Sequence, residues 1–191
     1  SNVTTMNSMF KDVSISFDQP LDNWNTSNVT DMSYMFHFAY AFNQNINSWD
    51  VSNVTTMNSM FYRTAAFDQP LDGWEVSNVT NMENMFQQSA FNQSINNWDV
   101  SSATSMAYMF AFAQSYDQAL SDWDVSSLTN ADFMFANAFA FDQDLSSWCV
   151  EQISSEPTNF SAGSPLVADH KPIWGICGFL YREQYLQMSS C

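Results

Sequence analysis

The chain repeats itself. A unit of about 25 residues starts at Ser1 and recurs at Ser27, Ser52, Ser77, Ser101 and Ser126, six copies that end at Val150. Each copy approximates S-N-V-T-x-M-x-x-M-F, then a variable stretch, then F-[DN]-Q-x-[LI]-x-x-W-x-V. A period in the range of roughly 20–50 residues is the signature of a stacked array, in which a unit buries its apolar side only against its neighbours. It also changes how each motif is weighed. A residue that occurs once per unit is a scaffold element before it is a catalyst, because an active site needs one constellation rather than six.

Stacking turns every interior position into a column. The indole column is Trp24, Trp49, Trp74, Trp98, Trp123 and Trp148. A phenyl column runs Phe10, Phe36, Phe61, Phe86, Phe110, Phe135 and on to Phe160, and a methionine column runs Met6, Met32, Met57, Met82 and Met106 before ending at Ala131. Within one unit, Val79, Met82, Met85 and Phe86 fall at i, i+3, i+6 and i+7, which predicts one face of a short helix. Ser77, Asn78 and Thr80 precede it as cap-type residues. The alternating Trp-x-Val piece before them predicts a short strand, and stacking would align these strands in parallel. The fold class expected from the pattern is an α/β repeat solenoid with one short parallel strand and one short helix per unit.

Composition removes several function classes. Four Lys+Arg stand against 20 Asp+Glu, a formal charge of -16, so the surface repels nucleic acid and anionic lipid, both of which need basic side chains. Seven Trp, 17 Phe and 12 Met are too many core-type residues for a disordered acidic chain. No apolar run is long enough for a membrane span. No signal peptide or initiator Met is visible, which reads as a mature or truncated piece of a longer protein. G-x-S-x-G, a phosphate loop and a Cys/His/Asp constellation are absent, and the paired carboxylates that glycoside chemistry would use are copied in every unit. A non-enzymatic reading follows.

The residues WDVSNVTTMNSMF (49–61) and WEVSNVTNMENMF (74–86), with FDQPLDGW and FNQSINNW, closely resemble the 25–26-residue repeats of the BspA-like (DUF285) surface-protein family. The resemblance covers residues 1–150 and continues to about Cys177, where WCVEQISSEPTNFSAGSPL and KPIWGIC look like a closing half-repeat. It implies a leucine-rich-repeat-like solenoid on a cell or particle surface, extracellular, used for adhesion and protein–protein contact, with no catalytic residue to carry over. The expected organisation is a six-repeat solenoid at 1–150, a terminal half-repeat and cap at 151–177, and a C-terminal tail at 178–191.

The position after each Trp carries Asn25, Asp50, Glu75, Asp99, Asp124 and Cys149. In a strand this side chain points away from the buried Trp and Val. Asp50, Glu75, Asp99 and Asp124 would then form an exposed acidic ladder whose neighbours, about 5 Å apart, repel by roughly 1–3 kcal/mol. The ladder is either a solvated face or a binding surface for a basic partner or Ca²⁺, since hard cations prefer carboxylates. No resident cofactor or metal is required. Two further columns, Asp18/Asn43/Asp68/Asn92/Asp117/Asp142 and Asp22/Asn47/Asp72/Asn96/Ser121/Ser146, alternate acid and amide through four units and predict partly buried hydrogen-bonded ladders.

Asn2, Asn28, Asn53 and Asn78 in N-V-T, and Asn25, Asn92 and Asn159 in their own triplets, fit the N-glycosylation sequon; caps and an asparagine ladder explain the same residues without sugar. Cys149, Cys177 and Cys191 lie at or after the last repeat, either as free buried thiols or with a Cys149–Cys177 disulfide that pins the tail to the stack. Pro172, Trp174, Phe179, Leu180, Tyr181, Tyr185 and Leu186 are candidate cap residues, with a short helix expected over 179–188. The expected partners are other proteins or copies of this chain in a larger assembly. A carbohydrate- or Ca²⁺-dependent binding module is the alternative reading.

Overall fold

The computed structural model describes residues 2–13 and 16–177. The expected cap residues Phe179 to Leu186, the helix over 179–188 and the tail at 178–191 lie outside these residues. Within them, backbone hydrogen bonds tie each unit to the next about 25 residues on. In the third unit Met57, Ser59, Phe61 and Arg63 donate their N–H groups to the carbonyls of Asn81, Glu83, Met85 and Gln87 at 2.8–2.9 Å. The same four positions do so from the first unit (Met6, Ser8, Phe10, Asp12) through the fifth, and three of them (Phe133, Phe135, Asn137) in the sixth. In the opposite direction Thr30, Thr55, Thr80, Thr104 and Thr129 donate back to Thr4, Thr30, Thr55, Thr80 and Thr104.

The expected helix and strand per unit are not there. Among the described residues the only helical turn is the 3-10 turn Ala168–His170. Parallel pairing is confined to single bridges, Thr5 to Asp31, Asp31 to Thr56, Thr56 to Asn81, Asn81 to Ser105 and Ser105 to Asn130. The leucine-rich-repeat-like α/β reading is therefore corrected: each unit is a coil of consecutive β-turns. Met60 N–H closes on Met57, Tyr62 on Ser59, Thr64 on Phe61 and Trp74 on Leu71, all three residues back. An α-helix would return every N–H to a carbonyl four residues back. Here alternate N–H groups leave the turn and cross to the neighbouring unit. Both arrangements bring an apolar side chain inward every three to four positions, so spacing alone does not separate them. The caps go with the helix: Asn78 Nδ2 donates to Ser52 O at 2.7 Å, and Thr80 Oγ1 to Thr55 O at 3.2 Å, so both serve the stack. The strand fails because Trp-x-Val carries no bridge in the interior units, and the paired residue, Thr56 or Asn81, is bounded by turns on both sides.

Those turns need left-handed residues. Ser8, Tyr34, Ser59, Asn84, Tyr108, Phe133 and Asn159 form one column with φ between 50° and 59°, and Asp12, Phe38, Arg63, Gln88, Phe112 and Asn137 a second between 55° and 60°. Each sits third in a turn of type II pattern, a place that favours Gly or Asn. A non-glycine residue there costs about 1 kcal/mol. At every one of these sites but Asn159, the inter-unit bond that its N–H makes holds it in place.

The columns are interior. Met32, Met57, Met82, Phe36, Phe61 and Phe86 are fully buried, and Trp49 to Trp148 are at most 3% exposed. Phe61 stacks on Phe67 of its own unit at 4.3 Å and on Phe86 of the next at 5.6 Å. Trp74 stacks on Trp98 at 6.3 Å. Each indole N–H from Trp49 to Trp148 donates to a Leu or Ile carbonyl of the preceding unit, at 2.9–3.1 Å, so no buried donor is left unpaired in that column. Trp24, Phe10 and Phe17 of the first unit are only partly buried, since no described unit precedes them.

One member of the second phenyl column is a tyrosine. Tyr116 lies between Phe91 and Phe141, each at 6.1 Å, and its hydroxyl is buried without a partner. Burial pushes its phenol well above the ordinary tyrosine range. Tyr116→Phe removes an unpaired polar group while keeping the ring, and should raise stability by about 1–2 kcal/mol. Denaturant unfolding checks this; a loss of stability would mean that the hydroxyl has a partner.

Candidate functional site

The acidic column is exposed at Asp50, Glu75, Asp99 and Asp124. Its aspartates fold back on their own chain. Asp50 Oδ1 accepts the Ser52 N–H at 3.1 Å and the Ser52 hydroxyl at 2.6 Å, and Asp99 repeats this with Ser101. Asp124 accepts the Ser126 N–H at 3.0 Å, and Asn25 accepts from Ser27. The column thus terminates the turn that follows each Trp. These hydrogen bonds, led by the serine hydroxyl, hold the carboxyls of Asp50 and Asp99 below the usual range. Asp31 is pulled two ways: burial alone would raise it, but hydrogen bonds from Ser33 and Asn7 leave it lowered.

His37 is also lowered, first by burial and then by Lys11, with Asp12 opposing and Arg63 adding. Its Nδ1 is buried without a hydrogen bond; the Asp12 carboxylate at 4.0 Å is close enough for attraction but too far for a bond. All four groups bind protons less readily when folded than when unfolded, so stability falls as pH falls. The loss begins below the ordinary histidine value of 6.5, as the unfolded chain protonates His37 first. The carboxylate share, full above 3.8, disappears as pH drops through the lowered folded values. Urea midpoints that stay flat between neutral pH and about pH 5 would contradict the histidine part.

The alternating columns form ladders, though their bonds run to backbone as much as to side chains. Asp18 Oδ1 accepts the Asn43 N–H, Asn43 Oδ1 the Asp68 N–H, Asp68 Oδ1 the Asn92 N–H, and Asn92 Oδ1 the Asp117 N–H, at 2.8–3.0 Å. Glutamine side chains add a second donor to the same oxygens at Asn43, Asp68 and Asn92. In the second column Asn47 Nδ2 donates to Asp72 Oδ1 at 2.9 Å, whereas Asn96 Nδ2 passes over the column's Ser121 and donates to Asp122 Oδ2, one residue on, at 2.8 Å. The alternation stops at Asp117 and Asp142, and there the column becomes exposed. His170 Nδ1 meets Asp142 Oδ1 at 3.2 Å, a basic group against the last acid.

A face that the sequence pattern did not single out is built from the unspecified positions of M-x-x-M-F and from the variable stretch after it. Five of the left-handed sites carry large aromatics: Tyr34, Phe38, Tyr108, Phe112 and Phe133. Tyr34, Tyr40, Phe112 and Phe139 are exposed by 36–58%. Lys11 lies over the Tyr34 ring at 5.4 Å. Arg63 lies over Phe38 and Tyr62 at 5.2 and 5.6 Å and donates from Nε to Gln88 Oε1 at 2.6 Å. His37 stacks on Tyr62 at 4.7 Å, and Tyr108 on Phe133 at 4.6 Å. Two of the chain's four Lys+Arg therefore sit on aromatic rings. The available signal was the left-handed turn position, which a sequence hides unless Gly or Asn occupies it.

Comparison with known proteins adds a family. The profile described as "Mycoplasma protein of unknown function, DUF285" matches residues 1–90 and 70–171, two overlapping tandem matches. The chain belongs to that family. Neither a curated protein nor a solved structure matches it. The family description names no activity, so it assigns no role to any residue of this DUF285 chain.

Cys149, within the matched residues, and Cys177, just past them, are joined by a disulfide across 28 residues and form an antiparallel bridge. Glu151 approaches both sulfurs within 4.8 Å, but sulfurs bonded to one another are not thiolate ligands. No three carboxylates of the acidic column converge in this way among the described residues. Of the sequon asparagines, Asn2, Asn25, Asn28, Asn53, Asn78 and Asn159 are exposed and Asn92 is half-buried. The side-chain nitrogens of Asn53 and Asn78 donate to Ser27 O and Ser52 O at 2.8 and 2.7 Å, so sugar there could take only the second hydrogen of each amide if the inter-unit bond is kept. Among the described residues no helix is long and apolar enough to cross a membrane.

Proposed function

We propose that this DUF285 chain is a non-enzymatic contact module of a cell or particle surface, whose partners are proteins held through the aromatic face. One observation carries the reading: Tyr34, Phe38, Tyr108, Phe112 and Phe133 occupy left-handed sites where other units place Ser, Asn, Asp, Gln, Arg or Gly. Each accepts backbone strain, and the exposed ones also leave apolar area in water. The fold gains only exposed or half-exposed ring contacts in return, so we place the larger gain in what the face touches. Tyr and Arg are the side-chain types that anchor protein interfaces. The disulfide supports a place outside reducing compartments, and the net charge of -16 argues against nucleic acid and anionic lipid.

The test is a double variant, Tyr108→Asn with Phe133→Asn. Asn84 already fills the equivalent site of the fourth unit at φ 57°. Stability should hold or rise by about 1 kcal/mol per site, through relief of the left-handed strain. Binding of the labelled protein to the surface of its source cells should fall by about tenfold or more. Unchanged cell binding at unchanged stability would remove the aromatic face from the function.

A further inference from the structure

We infer that Arg63 anchors a binding site for an acidic segment of the partner protein, its guanidinium taking an Asp or Glu carboxylate and the groove beside it an apolar side chain. The inference rests on the reading of the aromatic face and names what that face meets. Arg63 stands at a left-handed site, φ 57°, and its N–H donates to Gln87 O at 2.9 Å. Its guanidinium lies over the Phe38 and Tyr62 rings at 5.2 and 5.6 Å, and its Nε donates to Gln88 Oε1 at 2.6 Å. The group is thus held by two rings and one hydrogen bond. A guanidinium carries five donors, so four remain on the two terminal nitrogens. Among the described residues those nitrogens make no hydrogen bond, and the ion pairs use His37, His170 and Lys171 instead.

The columns around Arg63 supply no acid. Its own column carries Phe38 and Gln88 in the adjacent units, and the column beside it carries His37, Tyr62 and Gln87. The nearest carboxylate of either column, Asp12, stands two units away, roughly 10 Å at one strand spacing per unit. This is unusual in a chain with 20 Asp+Glu against four Lys+Arg. The basic residues of the cap do meet acids: Lys171 pairs with Glu156 and His170 with Asp142.

Gln88 links the cation to a groove. It lines a depression of about 550 Å³ together with Ala65, Ala90, Phe112, Gln114 and Ser115, among others. No charged residue lines it. The site spans the second to the fifth unit, each with a described unit on both sides. A guanidinium beside a neutral, partly apolar groove fits a carboxylate beside an apolar side chain. The fork matches a carboxylate in two parallel hydrogen bonds. Phe38 and Tyr62 behind it keep water from one side of the pair, which strengthens it. Ala65, Ala90 and Phe112 cover the apolar neighbour. The net charge of -16 repels an acidic partner at long range, so recognition of such a partner depends on this one short-range contact.

The test uses the whole 191-residue chain and, as probe, a displayed library of random linear peptides. A surface this acidic selects basic peptides by default. The site should instead enrich peptides in which Asp or Glu adjoins an aliphatic or aromatic residue, and the enrichment should vanish on Arg63→Gln. Gln88 fills the same site of the next unit at φ 56°, so glutamine at 63 keeps the fold, which a thermal melt checks. A selected peptide, once synthesised, should bind Arg63→Gln about tenfold or more weakly than the parent chain. Changing the peptide's acid to its amide should cost the parent chain as much and cost Arg63→Gln nothing further. Selection of basic or uncharged peptides alone overturns the inference, as does an acidic peptide that binds Arg63→Gln as well as the parent. Tyr108 and Phe133 lie outside the site. Cell binding lost in their double variant but kept in Arg63→Gln removes this site and leaves the aromatic face standing.

Discussion

Replacing Trp74 by alanine should cost about 3–5 kcal/mol and split the cooperative unfolding of the chain. Trp74 is 3% exposed. Its ring stacks on Trp98 and meets Phe61 at 6.2 Å, and its Nε1 donates to Ile46 O at 3.1 Å. Truncation opens a cavity the size of an indole in the middle of the array. It also leaves the Ile46 carbonyl without its donor in a buried place, a further cost. Each unit contacts only its neighbours, so the damage uncouples the units before it from those after it. Denaturant unfolding should show a lower midpoint and two resolved steps. Trp24→Ala is the internal comparison: Trp24 is only partly buried, and its loss should cost clearly less. Equal costs at the two positions would mean that position in the stack does not set the burial energy.

Breaking the Cys149–Cys177 disulfide should cost about 3–4 kcal/mol by loop-closure entropy over 28 residues. The effect should be local. Residues 166–177 carry Leu166 and Trp174, and Trp174 meets Phe160 edge-on at 5.0 Å, covering the last ring of the phenyl column. Lys171 adds an ion pair to Glu156 at 2.7 Å, exposed enough to contribute little alone. Cys149→Ser, or reductant on the parent chain, should therefore raise hydrogen exchange in the sixth and seventh units and leave the third and fourth protected. Uniform loss of protection along the whole chain would show that the cap is not a separate cooperative unit.

The repeat, its period and its interior columns were legible because identical side chains recurring at one spacing have a single physical use. Met57, Met60, Phe61 and Trp74 are buried as that logic requires. The local backbone was not legible. An inward residue every three to four positions is shared by a helix and by a run of turns. What separates them is the destination of the alternate N–H groups at Met57, Ser59, Phe61 and Arg63, and a backbone group has the same name in every residue. Glycine at Ser59 or Tyr34 would have betrayed the left-handed turn; the chain places almost anything else there.

The surface was legible in part. The acidic column is exposed, but reading it as a row of available carboxylates missed the serine two residues on. Ser52 and Ser101 turn those oxygens into turn closures. The aromatic face was missed because its residues fall at the unspecified positions of the repeated motif and in the variable stretch after it, where residue type changes from unit to unit.

The seam between any two units joins equivalent atoms on either side. Excising or duplicating one whole unit therefore recreates the same backbone junction, while the acid–amide alternation of the side-chain ladders is kept only when units are removed or added in pairs. The fourth unit shows how much slack the scheme tolerates: Trp74 and Trp98 are one residue closer in sequence than the other successive indoles, yet Thr64, Ser89 and Ala90 close the gap with hydrogen bonds of their own. Length in such a molecule can therefore change by whole units with the backbone cross-section kept.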